Sequence, residues 1–313
     1  MSGSPPLAEG LADYIAAVRP APSKAPLSPD EARLAADLHA EKIAYPQPEG
    51  MTITTSFVAR ENGETAVRIY RPGGERSQPA ILYFHGGGFT TGSLESYEPV
   101  PMALSEASGA TVVSVHYARL PQSTPRAMLE ECYDVLCWMA EIASILDVDT
   151  RRIAVAGDSA GAFIAALLAI MARDRNGPAL ACQILFYGLY DLDETRESYQ
   201  KSGDPILTLP IIKSMIATYR DCASRDSDPP SAPLHSESLA GLPPALLVGA
   251  EYDALLNEGQ EYARRLHEAG VEAQMRIAER MPHGFLRAVR FSEPARAEMW
   301  QLGQAIRTYF QPE

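Results

Sequence analysis

Gly157-Asp158-Ser159-Ala160-Gly161 joins two segments of opposite secondary-structure preference. The short segment before it, Arg152 to Ala156, predicts a strand, whereas the apolar run from Ala162 to Ala172 is too long for a strand and rich in helix-forming residues. The serine therefore lies at a turn from strand to helix, and the glycines on either side let backbone approach backbone. This pattern predicts a nucleophile elbow that exposes Ser159 Oγ at the start of a helix.

The length and composition indicate a globular protein with one large core. The chain has 313 residues, of which 46% are hydrophobic and 21% charged. The formal net charge of −13 argues against nucleic acid or an anionic membrane surface as a partner, because either would need clustered Lys and Arg.

Nothing in the sequence predicts export or a membrane span. Met1 to Pro6 lack a basic segment followed by an apolar one. The longest apolar run, Ala160 to Ala172, is shorter than the ~20 residues that a bilayer requires. The four cysteines form no Cys-x-x-Cys pair, which favours buried thiols over a disulfide framework or a zinc site. We therefore expect a cytoplasmic protein.

Alternating strand and helix patterns predict an α/β fold with a mostly parallel central sheet and helices on both faces. Residues 51–70 alternate apolar and polar positions on either side of Asn62-Gly63, which predicts an antiparallel hairpin. The continuous apolar run Ala80 to Phe84 predicts a strand buried on both faces. Strands and helices then alternate to Tyr187 and again after Pro243, which implies right-handed crossovers.

Two segments depart from this alternation. The N-terminal segment precedes the sheet and is either a disordered leader or a lid, and its apolar faces favour the lid, whereas the second segment is interpreted as an insertion above the sheet. The first carries two helical patterns joined by a proline-rich link, Pro20 to Pro29, with Ser28 as the cap of the second helix. The other holds a helix from about Pro210 to Cys222 among charged, proline and glycine residues. We expect residues 1–48 to form the N-terminal part of the cap and residues 191–228 an inserted cap segment. Residues 49–190 and 229–313 are expected to form the α/β core.

A serine is a poor nucleophile at neutral pH and needs a base within hydrogen-bond reach. Of the six histidines, we choose His283 because it lies in a tight loop after the last predicted strand, and open α/β sheets place their sites outside the carboxyl ends of strands. The acid should follow a strand between the serine and the histidine. The strand Ala245 to Gly249 leads into Glu251 and Asp253, and the residues alone leave both carboxylates open.

A glycine run supplies the remaining part of such a site. His85-Gly86-Gly87-Gly88 follows a buried strand, and a tetrahedral intermediate needs fixed N–H groups around its negative oxygen. We expect the amides of Gly87, Gly88 and Ala160 to form a three-donor oxyanion hole. A phosphate loop is the alternative, but no Lys-Ser/Thr follows the run and no Gly-x-Gly-x-x-Gly opens a helix.

With these motifs placed, the chain resembles the bacterial hormone-sensitive lipase family of α/β-hydrolase esterases from about Met51 to Phe310. The motifs that carry the resemblance are His85-Gly86-Gly87-Gly88-Phe89, Gly157-Asp158-Ser159-Ala160-Gly161, Leu242-Pro243-Pro244-Ala245, Glu251-Tyr252-Asp253 and His283-Gly284-Phe285. The resemblance implies the α/β-hydrolase fold, with Asp253 as the acid. We also expect substrate contacts at Phe89, Asp158 and Phe285, which lie within these motifs, and at Tyr187, which ends a predicted strand.

The resemblance implies a carboxylic-ester hydrolase that acts on a small-molecule ester and uses neither metal nor cofactor. An amidase or lactonase could use the same residues, because acyl transfer is common to all three. A ligand-binding receptor on an inactive hydrolase fold is disfavoured, because serine, acid and histidine are all present. Relatives often pair through the last strand, so a homodimer is the assembly that the resemblance implies.

The two cap segments each carry an apolar stripe. Such a stripe is stable in water only against another apolar surface, so we expect the two segments to pack together and close the pocket. A closed, finite pocket favours short acyl groups. The N-terminal stripe comprises Leu11, Ile15, Val18, Leu34 and Leu38, and the inserted one Ile206, Leu207, Leu209, Ile211, Ile212, Met215 and Ile216.

Overall fold

The protein is seen here as a computed structural model that describes residues 6–19, 27–61, 63–74 and 77–311. The turn residue Asn62 and most of the predicted proline-rich link lie outside these ranges. The helices are α1 (Leu11–Val18), α2 (Pro29–Leu38), α3 (Ala40–Ile43), α4 (Pro99–Ser108), α5 (Pro125–Glu141), α6 (Ala143–Leu146), α7 (Ala160–Asp174), α8 (Glu197–Lys201), α9 (Leu209–Ala223), α10 (Leu256–Glu268) and α11 (Glu293–Tyr309). The strands are β1 (Thr52–Arg60), β2 (Gly63–Arg71), β3 (Gln78–Phe84), β4 (Thr111–Val115), β5 (Val148–Asp158), β6 (Cys182–Phe186), β7 (Ala245–Ala250) and β8 (Ala273–Ala278).

Within the described ranges, eight strands form one sheet in the order β1-β2-β4-β3-β5-β6-β7-β8. β2 runs antiparallel to both β1 and β4, and the other neighbouring strands are parallel. The predicted opening hairpin and the mostly parallel sheet are therefore confirmed. The nucleophile strand, β5, lies near the middle of the sheet between β3 and β6.

The two faces of the sheet bury separate apolar cores. Along β3, Leu82 and Phe84 join a cluster with α5 and α7, whereas Ile81 and Tyr83 join a cluster with α4 and α11. Since successive side chains of a strand point to opposite faces, a strand covered by helices on both sides must be apolar throughout. This explains why the apolar run in β3 is continuous. Because the helices cover the faces of the sheet, the carboxyl ends of the strands remain available for a site.

The first helix belongs to the core and not to a lid. Leu11 and Tyr14 of α1 are buried in the cluster that contains α4 and α11, and the Tyr14 ring lies 6.0 Å from that of Phe291. On α2, by contrast, Leu34 and Leu38 are 60% and 69% exposed. The prediction that the N-terminal stripe packs as a whole on the inserted segment is therefore wrong, because α1 packs in the cluster of α4 and α11 and the two leucines of α2 stay largely exposed.

Polar contacts hold α2 against the loops at the top of the sheet. Ser28 and Glu31 form the predicted capping box at its start. Arg33 donates to the backbone oxygens of Thr90 and Leu120, each at 2.8 Å. Hydrogen bonds between distant segments, which no local pattern reveals, therefore fix the position of this helix.

The inserted segment is attached to the core by α9 and by a buried carboxylate. Ile212 and Ile216 of α9 are buried in the cluster that contains α5 and α7. Glu258 of α10 accepts hydrogen bonds from the Tyr190 N–H and from the Tyr199 hydroxyl of α8, a helix that the sequence did not predict. Burial raises the pKa of Glu258 to about 8, against the lowering effect of these donors. The segment is thus anchored at both of its helices.

Cys132, Cys182 and Cys222 are buried free thiols, as the sequence predicts, whereas the free thiol of Cys137 is only half-buried. As far as the structure describes the chain, none of its helices combines the length and apolar character needed to cross a membrane.

Candidate active site

The turn between β5 and α7 holds Ser159 in a strained conformation. Its φ of 55° and ψ of −121° lie outside the regions that L-residues ordinarily occupy. A Cβ on Gly157 would lie 2.2 Å from the Gly161 oxygen, and one on Gly161 would lie 1.9 Å from the Phe84 oxygen. Only glycine fits at either position, so the turn has the backbone crowding that the motif predicts.

Two loops from other strand ends bring an imidazole and a carboxylate to this serine. His283 Nε2 lies 2.8 Å from Ser159 Oγ, and His283 Nδ1 lies 2.7 Å from Asp253 Oδ2. Asp253 Oδ1 accepts a hydrogen bond from the Leu255 N–H at 2.9 Å, which fixes the carboxylate. Glu251, the alternative acid, instead accepts from the Arg280 N–H at 2.6 Å. The structure thus brings Ser159, His283 and Asp253 into one hydrogen-bonded series, with Glu251 outside it.

The surroundings of His283 favour its protonated form. Burial lowers the pKa of the imidazole, but the negative charges of Asp253, Asp204 and Asp158 outweigh burial, so that the pKa is raised above its ordinary value of 6.5. The Asp253 carboxylate has the largest raising effect because it also accepts the hydrogen bond. The neighbouring carboxylates therefore stabilise the imidazolium that forms when His283 accepts a proton.

The glycine loop between β3 and α4 lies beside the serine. Gly87 and Gly88 have φ values of 108° and 59°, and a Cβ on Gly87 would lie 2.4 Å from the Thr91 oxygen. Three N–H groups beside the serine donate to none of the backbone acceptors found in turns, loops and helix caps of the described residues. They belong to Gly87, Gly88 and Ala160. These three amides are therefore available as donors, as an oxyanion hole requires.

Asp158 connects the elbow to the glycine loop. Its carboxylate is buried and accepts hydrogen bonds from the Gly86 N–H at 2.9 Å and from the Tyr83 hydroxyl. Burial raises the pKa of Asp158 to about 6, although both donors and the Arg287 charge oppose that rise. The residue before the nucleophile thus holds the amide next to Gly87 in place.

His85 supports the same loop and cannot serve as the base. Its ring is fully buried, stacks on Tyr117 with centroids 4.4 Å apart, and places Nδ1 2.8 Å from the Gly86 oxygen. Burial lowers the pKa of His85 to about 3. His85 is therefore neutral and packs behind the glycine loop. This agrees with the choice of His283 as the base from the sequence.

A cavity of about 510 Å³ opens beside Ser159 and His283. The glycine loop forms one side, and the inserted segment forms the other. Its lining residues are Gly87, Gly88, Thr90, Thr91, Tyr97, Ser159, Ile206, Leu207, Pro210, Ile211, Ser214, Met215, Thr218 and His283. Four members of the inserted apolar stripe thus face the cavity, and the exposed Pro210, Ile211 and Ser214 mark where it meets solvent.

The four residues expected to contact substrate, Phe89, Asp158, Tyr187 and Phe285, are not among the residues that line this cavity. Phe89 is fully buried and packs its ring 5.0 Å from that of Tyr219. Tyr187 packs against the His283 ring at 5.2 Å, and Phe285 packs on Tyr187 at 5.4 Å. Asp158 holds the Gly86 amide, so all four side chains pack among protein groups here, and their contact with a substrate stays a prediction.

Asp204, in the inserted segment, is a neighbour of the site that the sequence reasoning missed. Its Oδ2 accepts a hydrogen bond from the His283 N–H at 2.7 Å. Gly203-Asp204-Pro205 matches no motif, and 79 positions separate the two partners. No signal in the sequence could have found this contact.

Comparison with known proteins places the chain in a family. A family described as alpha/beta hydrolase fold matches residues 81–287. The chain belongs to this α/β-hydrolase family. The resemblance to hormone-sensitive lipase-type hydrolases is thereby confirmed.

Among relatives of this α/β hydrolase, carboxylesterase NlhH of Mycobacterium tuberculosis is 37% identical over 225 residues, which cover 70% of each chain. Ethyl acetate hydrolase of Pseudomonas putida is 31% identical over 291 residues, covering 90% of this chain and 91% of its own. The crystal structure of a thermostable esterase from Pseudomonas putida superposes with a TM-score of 0.89 at 29% identity and covers 100% of both chains. The similarity to this crystal structure includes the N-terminal helices as well as the core.

Proposed function

We propose that this α/β hydrolase is a serine carboxylesterase that cleaves short-acyl carboxylic esters through an acyl-enzyme intermediate. The observation that carries the proposal is the hydrogen-bonded series from Asp253 through His283 to Ser159 at the wall of a cavity. Relatives named as esterases support an ester as the bond that is cleaved.

In the proposed reaction, Ser159 is the nucleophile. Its Oγ bonds to the acyl carbon while its proton passes to His283 Nε2, and the carbonyl electron pair moves onto the oxygen. When the tetrahedral intermediate collapses, the alcohol leaves with the proton from His283 and the acyl group stays on Oγ. Water then attacks the acyl carbon, giving a proton to His283, and a second collapse releases the carboxylic acid and restores the serine hydroxyl.

The surrounding groups stabilise charge during these steps. The amides of Gly87, Gly88 and Ala160 are proposed to donate to the negative oxygen of each tetrahedral intermediate, a contribution of several orders of magnitude in comparable sites. Asp253 keeps the Nδ1 proton of His283 in place and stabilises the imidazolium, without itself becoming protonated.

The cavity supports a preference for short acyl groups. A space of about 510 Å³ bounded by Leu207 and Met215 is finite, and each methylene that finds room contributes about 0.8 kcal/mol. We expect kcat/KM to rise with chain length, to peak at about four to six acyl carbons, and then to fall because further methylenes must leave the cavity.

The test compares the full-length protein with Ser159→Ala on p-nitrophenyl esters from acetate to laurate, and on a matched anilide and lactone. We expect the butyrate ester to be among the best substrates. We expect kcat of the Ser159→Ala protein to be lower than that of the wild type by a factor on the order of 10⁶. A faster anilide or lactone would replace the esterase proposal by an amidase or lactonase. Unchanged hydrolysis by the Ser159→Ala protein would exclude the mechanism, and a wild-type protein that binds but cleaves none of them would favour a receptor.

The homodimer and the cytoplasmic location of the protein stay predictions. β8 ends the sheet, and its Ile277 is 44% exposed, so this strand offers an unpaired edge to a second copy. Sedimentation of the protein at micromolar concentration tests the proposed homodimer. The cytoplasmic location also stays a prediction from the sequence.

A further inference from the structure

Asp204 joins the wall of the cavity to the backbone of the proposed base. It lies between α8 and α9 and is only 6% exposed. Its Oδ1 accepts the N–H groups of Ile206 at 2.7 Å and Leu207 at 2.9 Å, and its Oδ2 accepts that of His283 at 2.7 Å. Because Ile206, Leu207 and His283 all line the cavity, one carboxylate fixes three parts of its wall.

The same loop contacts the segment that carries the acid. Ser202 Oγ accepts the Asp204 N–H at 3.1 Å and lies 3.4 Å from the Tyr252 oxygen, next to Asp253 in the chain. The inserted segment therefore reaches both loops that complete the site, and Asp204 is the residue at which these contacts meet.

The carboxylate of Asp204 also brings a second negative charge to the imidazole. The titratable groups with the largest effects on His283 are Asp253, Asp204 and Asp158, each of which favours its protonated form. Burial and the charge of Asp253 raise the pKa of Asp204, while His283 and the backbone donors lower it. A buried carboxylate without hydrogen bonds would be costly, and three N–H donors satisfy this one.

We propose that Asp204 is a positioning residue for the base, holding the His283 backbone and the cavity wall in register and stabilising the imidazolium by its charge. The proposal rests on the proposed roles of Ser159 and His283. It assigns to the inserted segment a part in the chemistry in addition to its part in enclosing the substrate.

The decisive variant is Asp204→Asn, which keeps the size of the side chain but removes the charge and one acceptor oxygen. The control is Asp193→Asn. Asp193 lies in the same inserted segment and accepts the N–H of Thr195, two positions on, but it is exposed and is not among the groups with the largest effects on His283. The first readout is the pH profile of kcat/KM for p-nitrophenyl butyrate. The other is an NMR titration of the His283 ring without substrate, with its signal assigned by its loss in His283→Asn.

We expect Asp204→Asn to lower kcat/KM by about tenfold or more, because the base is no longer held in the geometry of attack. Its titration midpoint should move to lower pH in both readouts, since a negative charge beside the imidazole has been removed. Asp193→Asn should change neither. Wild-type kcat/KM and midpoint in Asp204→Asn would overturn the proposal, and so would a loss of activity with both midpoints unchanged, since that would indicate a purely structural role.

A second variant covers the case in which Asp204→Asn does not fold. Asp204→Glu keeps the charge but lengthens the side chain, so we expect a midpoint near that of the wild type and a lower kcat/KM. A wild-type kcat/KM in this variant would contradict the positioning role. If the wild-type protein hydrolyses no ester, the proposed function fails, and the NMR midpoints still decide whether Asp204 acts on His283.

Discussion

Asp253 and Glu251 stand two positions apart in one loop but contact different groups. Asp253 Oδ2 is 2.7 Å from His283 Nδ1, whereas Glu251 Oε2 accepts the Arg280 N–H at 2.6 Å. Asp253→Asn should lower kcat by about 10⁴, because the amide can donate to Nδ1 and favour the wrong tautomer of the imidazole. Glu251→Gln keeps an acceptor oxygen for Arg280 and should have little effect. Steady-state kinetics on p-nitrophenyl butyrate would show this, and a more damaging Glu251→Gln would refute the choice of acid.

The pH dependence of activity should report the ionisation of His283. Only the neutral imidazole accepts the serine proton, so kcat/KM should rise with pH. The carboxylates around His283 raise its pKa, so the midpoint should lie above 6.5, the ordinary value for histidine. Measurement of kcat/KM from pH 5 to 9 tests this expectation. A midpoint below 6.5 would show that burial outweighs the charges of the carboxylates, and a flat profile would exclude His283 as the base.

At the scale of single elements, α9 sets the size of the cavity. Met215 packs against Gly88, since a Cβ on this glycine would lie 3.2 Å from the Met215 sulfur. Met215→Ala should therefore widen the cavity beside the oxyanion loop and shift the preferred acyl chain to greater length by one or more carbons. Met299→Ala on α11 removes the same atoms from a buried position away from the cavity, so it controls for lost stability. A chain-length profile identical to that of the wild type would remove α9 from the acyl site.

The two cap segments show which features of an element its sequence can reveal. Helical periodicity located α1, α2 and α9, but it could not say which surface each helix meets. Leu38 of α2 is 69% exposed, so it does not anchor the helix. Arg33 does so instead, through a hydrogen bond to Thr90, which is 57 positions away. Apolar stripes predict that a helix packs on something, and only the structure identifies the partner.

At the scale of the whole molecule, the parts predicted best are those with a local cause. The elbow follows from the crowding at Gly157 and Gly161, and the buried β3 follows from its continuous apolar run. The contact of Asp204 with His283 depends on the path of the inserted segment across the sheet, which no local pattern encodes. The resemblance favoured Asp253 over Glu251, and Asp253 is the carboxylate that the structure places against His283.

The proposed reaction requires Ser159 to act as a covalent nucleophile. The most direct measurement is the mass of the protein and its peptides after reaction with diethyl p-nitrophenyl phosphate, whose phosphoryl group stays on a catalytic serine. We predict one diethylphosphoryl group per chain, on the peptide that contains Ser159, with loss of esterase activity in step and no adduct on Ser159→Ala. An adduct on another residue, or full ester hydrolysis by a protein that takes up none, would contradict the account.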